Sequence, residues 1–286
     1  MIRSRSGALL ALPVERCCQV LSVSRSTYYE SSEPQPEAPD ELTGLVRKFA
    51  ETHTASGYRM LAARLRRKGH RAASDKRVRL RMRRLGLKGR RRRRFVRTTV
   101  AGKEPAGNNL MKDLKLDKPR QALVTDLTYV ALPKGKFAYV AVVLDAFSRR
   151  ALGFSSSTSL HQDLPERALK RVLDFHELPK GWIHHSDRGA QYTSGAYKSL
   201  VQNNSGRLSN SRKGNPYDNA KIESFFKTYK YEEANLADYQ SLEELNKNLA
   251  KFIYDYNSDR PHSSLGYKSP IDFELLHAEQ EQMGVR

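Results

Sequence analysis

The chain has 286 residues, enough for one or two hydrophobic cores with small appendages. Its formal net charge is +20, from 51 basic and 31 acidic residues, so a polyanion is the expected partner. The adjacent Cys17 and Cys18 are the only cysteines, which excludes a disulfide framework and a zinc site of CxxC spacing. No apolar run is long enough to span a membrane, and GALLALPV near the start lacks a signal-peptide cleavage site. We therefore expect a cytoplasmic protein.

The excess charge lies in one block. Between Arg59 and Arg97 there are 19 basic residues and one acid, Asp75, whereas the rest of the chain is nearly balanced. This concentration is typical of a module that contacts phosphates. A solvated tail or targeting signal is the alternative for the arginine run at 90–94.

Residues 13–30 predict a helix, a tight turn and a second helix. Val14, Cys17, Cys18 and Leu21 recur at helical spacing, and polar residues starting at Arg25 follow the turn. We predict an N-terminal helix-turn-helix over residues 1–31 in which Arg25 contacts DNA. An ordinary helical hairpin is the alternative. Residues 32–41, rich in proline and acids, predict a linker.

A second helical segment, similar in size to a helix-turn-helix, is predicted over residues 42–95. Two apolar stripes precede Gly69, and Ser74 or Asp75 is placed to cap a third helix with Val78, Leu80, Met82 and Leu85 as its apolar positions. Basic residues cover most of that helix, which favours packing against a phosphate backbone. The candidate DNA contacts here are Arg77, Arg81, Arg84, Arg90, Arg91 and Arg92. Residues 96–118 are polar and predict a second linker.

The pattern then becomes strand-like. Residues 123–130 alternate, 137–145 are nearly all apolar, and 151–154 continue after a turn, which predicts an antiparallel meander. A short buried strand is predicted at 182–185. Helices are predicted at 163–176, 194–202, 220–231 and 241–256. The sequence thus predicts a mixed α/β core over 119–235 and a C-terminal helical segment over 236–286.

Three carboxylates stand out in this core. Asp126 lies mid-strand among apolar residues, and a buried carboxylate needs a partner or a metal. Asp187 follows a buried strand, where functional groups gather in open α/β sheets. Sixty residues separate this pair, and thirty-five separate Asp187 from Glu223. A structural salt bridge is the alternative for either aspartate, whereas three acids in a DNA-binding chain indicate a site for Mg²⁺.

Glu223 lies on a polar stripe of the predicted helix 220–231, beside an apolar stripe. Lys227 and Lys230 follow it at i+4 and i+7. A surface Glu223–Lys227 pair is the simpler interpretation of this helix taken alone. For Lys230 we predict contact with DNA, with a plain surface lysine as the alternative.

Four other residues have structural explanations. Asp145 is predicted to pair with Arg149 or Arg150, and Asp218 to cap the following helix. His184 and His185 point to opposite faces of their strand, so we expect one in the core and the other beside the site.

Several stretches resemble one family: TDLTYV, AVVLDAFSRRALGF, HSDRGAQYTS, SRKGNPYDNAKIESFF and YNSDRPHSSLGYKSP. They are similar to the second-reading-frame (OrfB) transposases of bacterial insertion sequences of family three, kin to retroviral integrases. YRMLAARLRRKGHR and RVRLRMRRLGLKGR resemble the family's helix-turn-helix segment. The resemblance covers residues 13–275. Two positions depart from the family pattern, Leu123 for tryptophan and Asn210 for methionine.

The resemblance implies a ribonuclease H-like core in which Asp126, Asp187 and Glu223 form the D-D-(35)-E metal-binding triad and Lys230 contacts DNA. It implies two Mg²⁺ ions, with Mn²⁺ as a substitute, and cutting and joining of DNA at the ends of an insertion sequence. The implied partners are terminal inverted repeats, target DNA, further copies of the chain and an upstream reading-frame product. The implied location is the bacterial cytoplasm, at the nucleoid. A nuclease without joining activity and a non-catalytic DNA-binding regulator are the alternatives.

Overall fold

The computed structural model describes residues 13–25, 40–89, 109–112, 114–161, 163–187, 189–211 and 219–284. Several predictions lie outside these residues: most of the second helix of the N-terminal helix-turn-helix, most of both linkers, the cap at Asp218, and the DNA contacts at Arg90, Arg91 and Arg92. No helix in the described ranges is both long and apolar enough to cross a membrane.

The first described helix is α1 (Val14–Val20), which buries Cys17 and Cys18 as predicted. A short turn follows, and helical structure resumes at Arg25. The Arg25 guanidinium lies 3.7 Å from the Glu15 carboxylate, and both side chains are exposed. At this position Arg25 can reach a partner outside the chain.

Three helices then form a unit with its own core: α2 (Glu41–Thr52), α3 (Tyr58–Arg67) and α4 (Asp75–Arg84). Ser74 caps α4 by accepting from the Arg77 amide, as predicted. One apolar position was wrong: Leu80 is 43% exposed, because α4 turns only Val78 and Met82 into the core. We call residues 40–89 the helical unit.

Five strands form one mixed sheet in the order β3-β2-β1-β4-β5. Strands β1 and β2 pair antiparallel, as do β2 and β3, which confirms the predicted meander. Strand β4 runs parallel to β1, and β5 runs parallel to β4. The strands are β1 (Ala122–Ala131), β2 (Phe137–Asp145), β3 (Ala151–Ser157), β4 (Ile183–Ser186) and β5 (Arg207–Asn210).

Helices cover both faces of the sheet, so the α/β, ribonuclease H-like architecture expected from the sequence is confirmed. One face packs with Val124 and Val142 against Phe225 and neighbouring side chains. The opposite face packs with Leu123 against Trp182. The core helices are α5 (Asp163–Phe175), α6 (Ala190–Thr193), α7 (Gly195–Asn203), α8 (Ala220–Tyr229), α9 (Leu242–Ser258) and α10 (Pro270–Gln282).

The helix carrying Glu223 changes from α-helical to π-helical geometry before the end that the sequence predicts. It ends as an α-helix at Tyr229, and a π-helical turn occupies Lys230–Ala234. We call this segment the π-turn. The predicted helix 220–231 is therefore helical throughout, but its last two residues belong to a π-helical turn that the sequence pattern did not predict.

The predicted ion pair of Asp145 was also wrong. Its buried carboxylate accepts hydrogen bonds from the Ser148 hydroxyl and from backbone amides, including that of Arg120. Arg150 instead contacts Glu274 of α10 at 2.8 Å. Asp145 therefore fixes the β2–β3 turn, while Arg150 anchors the C-terminal helix.

Candidate active site

Asp126 and Asp187 are brought together by the parallel pairing of β1 and β4. The pairing places Val124 opposite His185, and β4 ends one residue later at Ser186. Continuing that register by two residues places Asp126 opposite Asp187. Since neighbouring strands lie about 4.8 Å apart, this register places the two carboxylates near each other, just past the end of β4.

Glu223 approaches the same place from the helix layer. Side chains alternate along β1, so Asp126 shares the face of Val124, which is the face covered by α8. The Glu223 side chain is 35% exposed and accepts a 3.1 Å hydrogen bond from Lys227 Nζ. The i,i+4 pair considered from the sequence is therefore present, and it lies beside the two aspartates.

The environment of Asp126 disfavours its charged form. Burial raises its pKa to about 7, and the negative charges of Asp187 and then of Glu223 act in the same direction. A hydrogen bond from the Leu127 amide and the positive charge of Lys230 oppose this rise. Burial also raises the pKa of Asp187, against a hydrogen bond from the Gly189 amide. The acids therefore interact electrostatically at one place.

These acids do not form a closed ligand cluster. Within the described ranges no group of three His, Cys, Asp or Glu side chains is arranged to hold a metal ion. Two of the carboxylates have other contacts, Glu223 with Lys227 and Asp187 with the Gly189 amide. The three predicted residues therefore lie close together, and their side chains would have to rearrange to bind a metal ion together.

The stability of the metal-free protein should depend on the protonation of Asp126. The pKa of Asp126 is about 7 in the folded state and about 3.9 in an unfolded chain, so the folded state holds an extra proton in this window. The resulting stabilisation is complete below pH ~4 and is lost as the pH rises through the folded pKa. Asp126→Asn removes this dependence.

The measurement is urea denaturation in EDTA across this pH range. The unfolding free energy of the wild type relative to Asp126→Asn should fall by on the order of 2–4 kcal/mol as the pH rises. Asp187 and Asp145 remain in both proteins, so their own titrations cancel to first order. A difference that does not change with pH would contradict the described environment of Asp126.

Lys230 lies beside the acids at the start of the π-turn. Its Nζ lies 4.6 Å from the centre of the Tyr129 ring, a cation–π contact. Burial lowers its pKa, whereas the negative charge of Asp126 raises it. The half-buried ammonium is thus held at the open edge of β1, next to the carboxylates.

The two histidines are both fully buried. His184 Nε2 lies 2.7 Å from the Tyr197 hydroxyl, and His185 Nδ1 lies 2.8 Å from the Ser209 hydroxyl. Burial lowers the pKa of His184 to about 3. His184 lies opposite Leu123, and His185 lies opposite Val124, on the face that the two aspartates share. The histidines therefore point to opposite faces, with His184 in the core and His185 beside the site, as predicted.

The sequence is related to known proteins over nearly its whole length. Residues 117–216 match the integrase core domain family, residues 204–270 match a second integrase core domain family, and residues 37–95 match an HTH-like domain. The insertion element IS600 uncharacterized 31 kDa protein of Shigella sonnei is 34% identical over 264 residues, covering 90% of this chain and 96% of that protein. The transposase InsF for insertion sequence IS3A of Escherichia coli strain K12 is 31% identical over 271 residues, covering 91% and 93%.

The chain belongs to the insertion-sequence transposases with an integrase core. Among solved structures, the catalytic core domain of HTLV-2 integrase in complex with magnesium aligns with a TM-score of 0.41 at 15% identity, covering 55% of this chain and 97% of that one.

The two departures of this transposase from its family pattern are accommodated locally. Leu123 is fully buried and packs in the cluster that contains Trp182. The Asn210 side-chain amide donates a 3.2 Å hydrogen bond to the backbone carbonyl of Asp187. Asn210 therefore helps to hold the end of β4, where the second aspartate lies.

The predicted DNA contacts of the transposase fall into separate groups. Arg77 and Arg84 are exposed on α4. Arg81 is only 6% exposed and forms an ion pair with Asp40, so it supports the helical unit from within and leaves our set of DNA contacts. Its partner lies 41 residues earlier in the chain, which a helical pattern does not reveal.

Sequence reasoning missed Tyr192, on α6 of the transposase. Its hydroxyl is buried and has no hydrogen-bond partner of good geometry among the described residues. Burial raises its pKa, and the charges of Asp126 and Asp187 add to this effect, whereas a hydrogen bond with Thr125 opposes it. The ring packs with Leu123 and Val143, on the face of the sheet opposite to that of Asp126. A tyrosine five residues after the second aspartate was the available signal.

Proposed function

We propose that Asp126, Asp187 and Glu223 form the catalytic site of a DNA transposase that cuts and joins strands at the ends of an insertion sequence with two Mg²⁺ ions. Mn²⁺ is the expected substitute. The observation that carries this proposal is the parallel pairing of β1 and β4, which ends two residues before Asp126 and Asp187, on the face covered by the helix of Glu223. The reaction class is supported by the match to the integrase core domain and by relatives that are named transposases.

The donor set fits a hard divalent cation. All three side chains offer carboxylate oxygens, the ligands that Mg²⁺ prefers. Negative charge from Asp187 and Glu223 destabilises the ionised form of Asp126, and a divalent cation would relieve that repulsion.

When bound, the two ions supply activation of the attacking water or 3′-hydroxyl and stabilisation of the leaving oxygen. The protein's own contribution is placement. Two neighbouring strands fix Asp126 and Asp187, and α8 brings Glu223 to the same face. Lys230 places a positive charge beside them for a DNA phosphate. No protein–DNA covalent link is required, so nearby tyrosines and serines need no nucleophilic role.

Lys230→Ala should reduce strand joining on element-end DNA by roughly tenfold or more while changing fold stability by less than about 1 kcal/mol. The reason is that Lys230 lies beside Asp126, where a phosphate next to the scissile bond would bind. The matched control is Lys227→Ala, since Lys227 is on the same helix face and contacts Glu223. Equal losses in both variants, or no loss in either, would remove Lys230 from the proposed site.

The proposed activity is tested by incubating the purified chain with its own flanking DNA and Mg²⁺, and by separating cut from joined strands. Both products are expected. Cutting without joining would indicate a nuclease, and binding without cutting would indicate a non-catalytic regulator. Omitting Mg²⁺ is the internal control, and Mn²⁺ should restore both products.

The remaining DNA contacts belong to the same proposal. We assign phosphate contacts to Arg25 and to Arg77 and Arg84 of α4, which are exposed, and to Arg90, Arg91 and Arg92, which lie outside the described residues. Assembly of several copies on DNA, a contribution from an upstream reading-frame product, and a location at the nucleoid stay predictions. Mass photometry of the chain on end DNA, with and without that upstream product, tests the first two.

A further inference from the structure

The π-turn that carries Lys230 is held by a buried ion pair. Arg260 donates two hydrogen bonds to Glu232, from Nε to Oε2 at 2.8 Å and from Nη2 to Oε1 at 2.7 Å. The side chains are only 11% and 21% exposed. A two-point contact between a guanidinium and a carboxylate fixes both distance and orientation. Glu232 is therefore locked two residues after Lys230.

Two further contacts fix the same short segment. The Tyr239 hydroxyl donates a 3.0 Å hydrogen bond to Glu233, the residue after Glu232. The Arg260 guanidinium also lies 5.9 Å from the centre of the Tyr256 ring. The π-turn is thus restrained at Glu232 and Glu233, while its first residue, Lys230, places its ammonium over Tyr129.

The segment that holds the π-turn also contacts the helical unit. Asp259, next to Arg260 in the chain, forms an ion pair with the buried Arg64 of α3. Arg67 donates hydrogen bonds to the backbone carbonyls of Asp259 at 2.8 Å and Ser258 at 2.7 Å. The end of α9 therefore contacts α3 through Asp259 and the π-turn through Arg260.

We propose that Glu232 and Arg260 are positioning residues for Lys230, and that Asp259 ties this position to the docking of the helical unit against the core. The inference rests on the proposed role of Lys230 in strand joining. The contact of α3 with Asp259 fixes the end of α9. Arg260, the next residue, fixes Glu232 of the π-turn. The π-turn in turn keeps the Lys230 ammonium beside Asp126. The adjacent residues Asp259 and Arg260 thus connect the helical unit, which binds DNA, to Lys230 of the active site.

The competing explanation is that the Glu232–Arg260 pair only stabilises the fold. A buried ion pair is poor evidence of stabilisation by itself, because removing the charges from water is costly. The two explanations differ in how a change at Arg260 combines with a change at Lys230. A positioning pair has nothing left to position once Lys230 is an alanine, whereas a stabilising pair acts with or without that lysine.

The test is a double-mutant cycle on strand joining with the full-length chain. Arg260→Lys keeps the charge and loses the two-point contact. We expect it to lower joining by roughly tenfold in the wild type and to have no further effect in Lys230→Ala. An equal factor in both backgrounds overturns the positioning role and leaves the proposed function intact. If Lys230→Ala itself does not change joining, both the inference and the assigned role of Lys230 fall, whereas cutting by the three acids stands.

A second variant and a matched control separate folding from positioning. Glu232→Gln tests the same contact from its other side, should Arg260→Lys fail to fold by circular dichroism. Arg150→Lys makes the same exchange in a second ion pair, the one between Arg150 and Glu274, which also anchors the C-terminal segment. The control should lower the unfolding midpoint without a loss of joining that depends on Lys230.

A spectroscopic measurement reports on the lysine without any reaction. The Tyr129 ring should shift the Lys230 side-chain methylene signals by its ring current, and Lys230→Arg identifies those signals by their loss. Arg260→Lys and Asp259→Asn should each bring the signals toward ordinary lysine values, whereas Arg150→Lys should not. Unchanged signals in Arg260→Lys overturn the inference. A shift in Arg260→Lys without one in Asp259→Asn overturns the link to the helical unit.

Discussion

Asp187→Asn should lower strand cutting by on the order of a thousandfold or more while leaving DNA binding nearly unchanged. The substitution keeps the size of the side chain and removes its charge at the end of β4. Asp126→Asn and Glu223→Gln should have effects of the same order. Cutting is measured on element-end DNA with Mg²⁺, and binding is measured on the same DNA without the metal.

The three acids should also fail to act additively. If they hold the ions together, Asp126→Asn combined with Asp187→Asn should cut no more slowly than either single variant, since the geometry is already lost. Lys227→Ala serves as the control, because it removes the present partner of Glu223 and keeps all three acids. Wild-type cutting by any one of the acid variants would overturn the assignment of that residue.

Replacing Arg77, Arg79, Arg83 and Arg84 with glutamine should give the second large effect, a uniform loss of DNA affinity. Each lost phosphate contact should reduce the slope of log affinity against log salt by about 0.9. All four side chains are exposed on α4. Because phosphate contacts carry no sequence information, element-end DNA and unrelated DNA should lose affinity alike. Titrations at several salt concentrations measure both effects.

Arg81→Gln is the matched control for this group. Arg81 lies on the same helix but forms an ion pair with Asp40 inside the helical unit. Its replacement should lower the unfolding midpoint, because Asp40 then loses its partner, without removing a phosphate contact. Arg90, Arg91 and Arg92 form a second group for the same titration. An unchanged salt slope for both groups of variants would show that the basic block is only a solvated surface.

Local patterns were sufficient to predict most of the core. Strand β1 follows from its alternation, and β2 from an apolar run typical of a strand buried on both faces. Asp126 was found because a carboxylate is unexpected in the middle of such a strand. For Glu223 the local pattern alone favoured a surface pair with Lys227, and the resemblance to the transposase family identified it as the third acid. The strand patterns and the carboxylate within a strand each involve only a few neighbouring residues, so they can be recognised in a single sequence.

The features that sequence did not predict depend on partners far away in the chain. In the sequence Arg64 looks like one more basic residue of the basic block. In the structure it forms an ion pair with Asp259, 195 residues later. Asp145 was assigned to nearby arginines, whereas Arg150 contacts Glu274, 124 residues away. The π-turn was not predicted from the apolar pattern of its helix either. Such contacts form when separate elements pack, and no local pattern specifies them.

The most direct test of the catalytic site is the number of divalent ions that it holds. Mn²⁺ bound to the transposase on element-end DNA can be counted by electron paramagnetic resonance. The account predicts two ions for the wild type, and the loss of at least one ion in Asp126→Asn, Asp187→Asn and Glu223→Gln, with Lys227→Ala unchanged. Equal Mn²⁺ binding by the wild type and all three acid variants would contradict the claim that these carboxylates form a metal site.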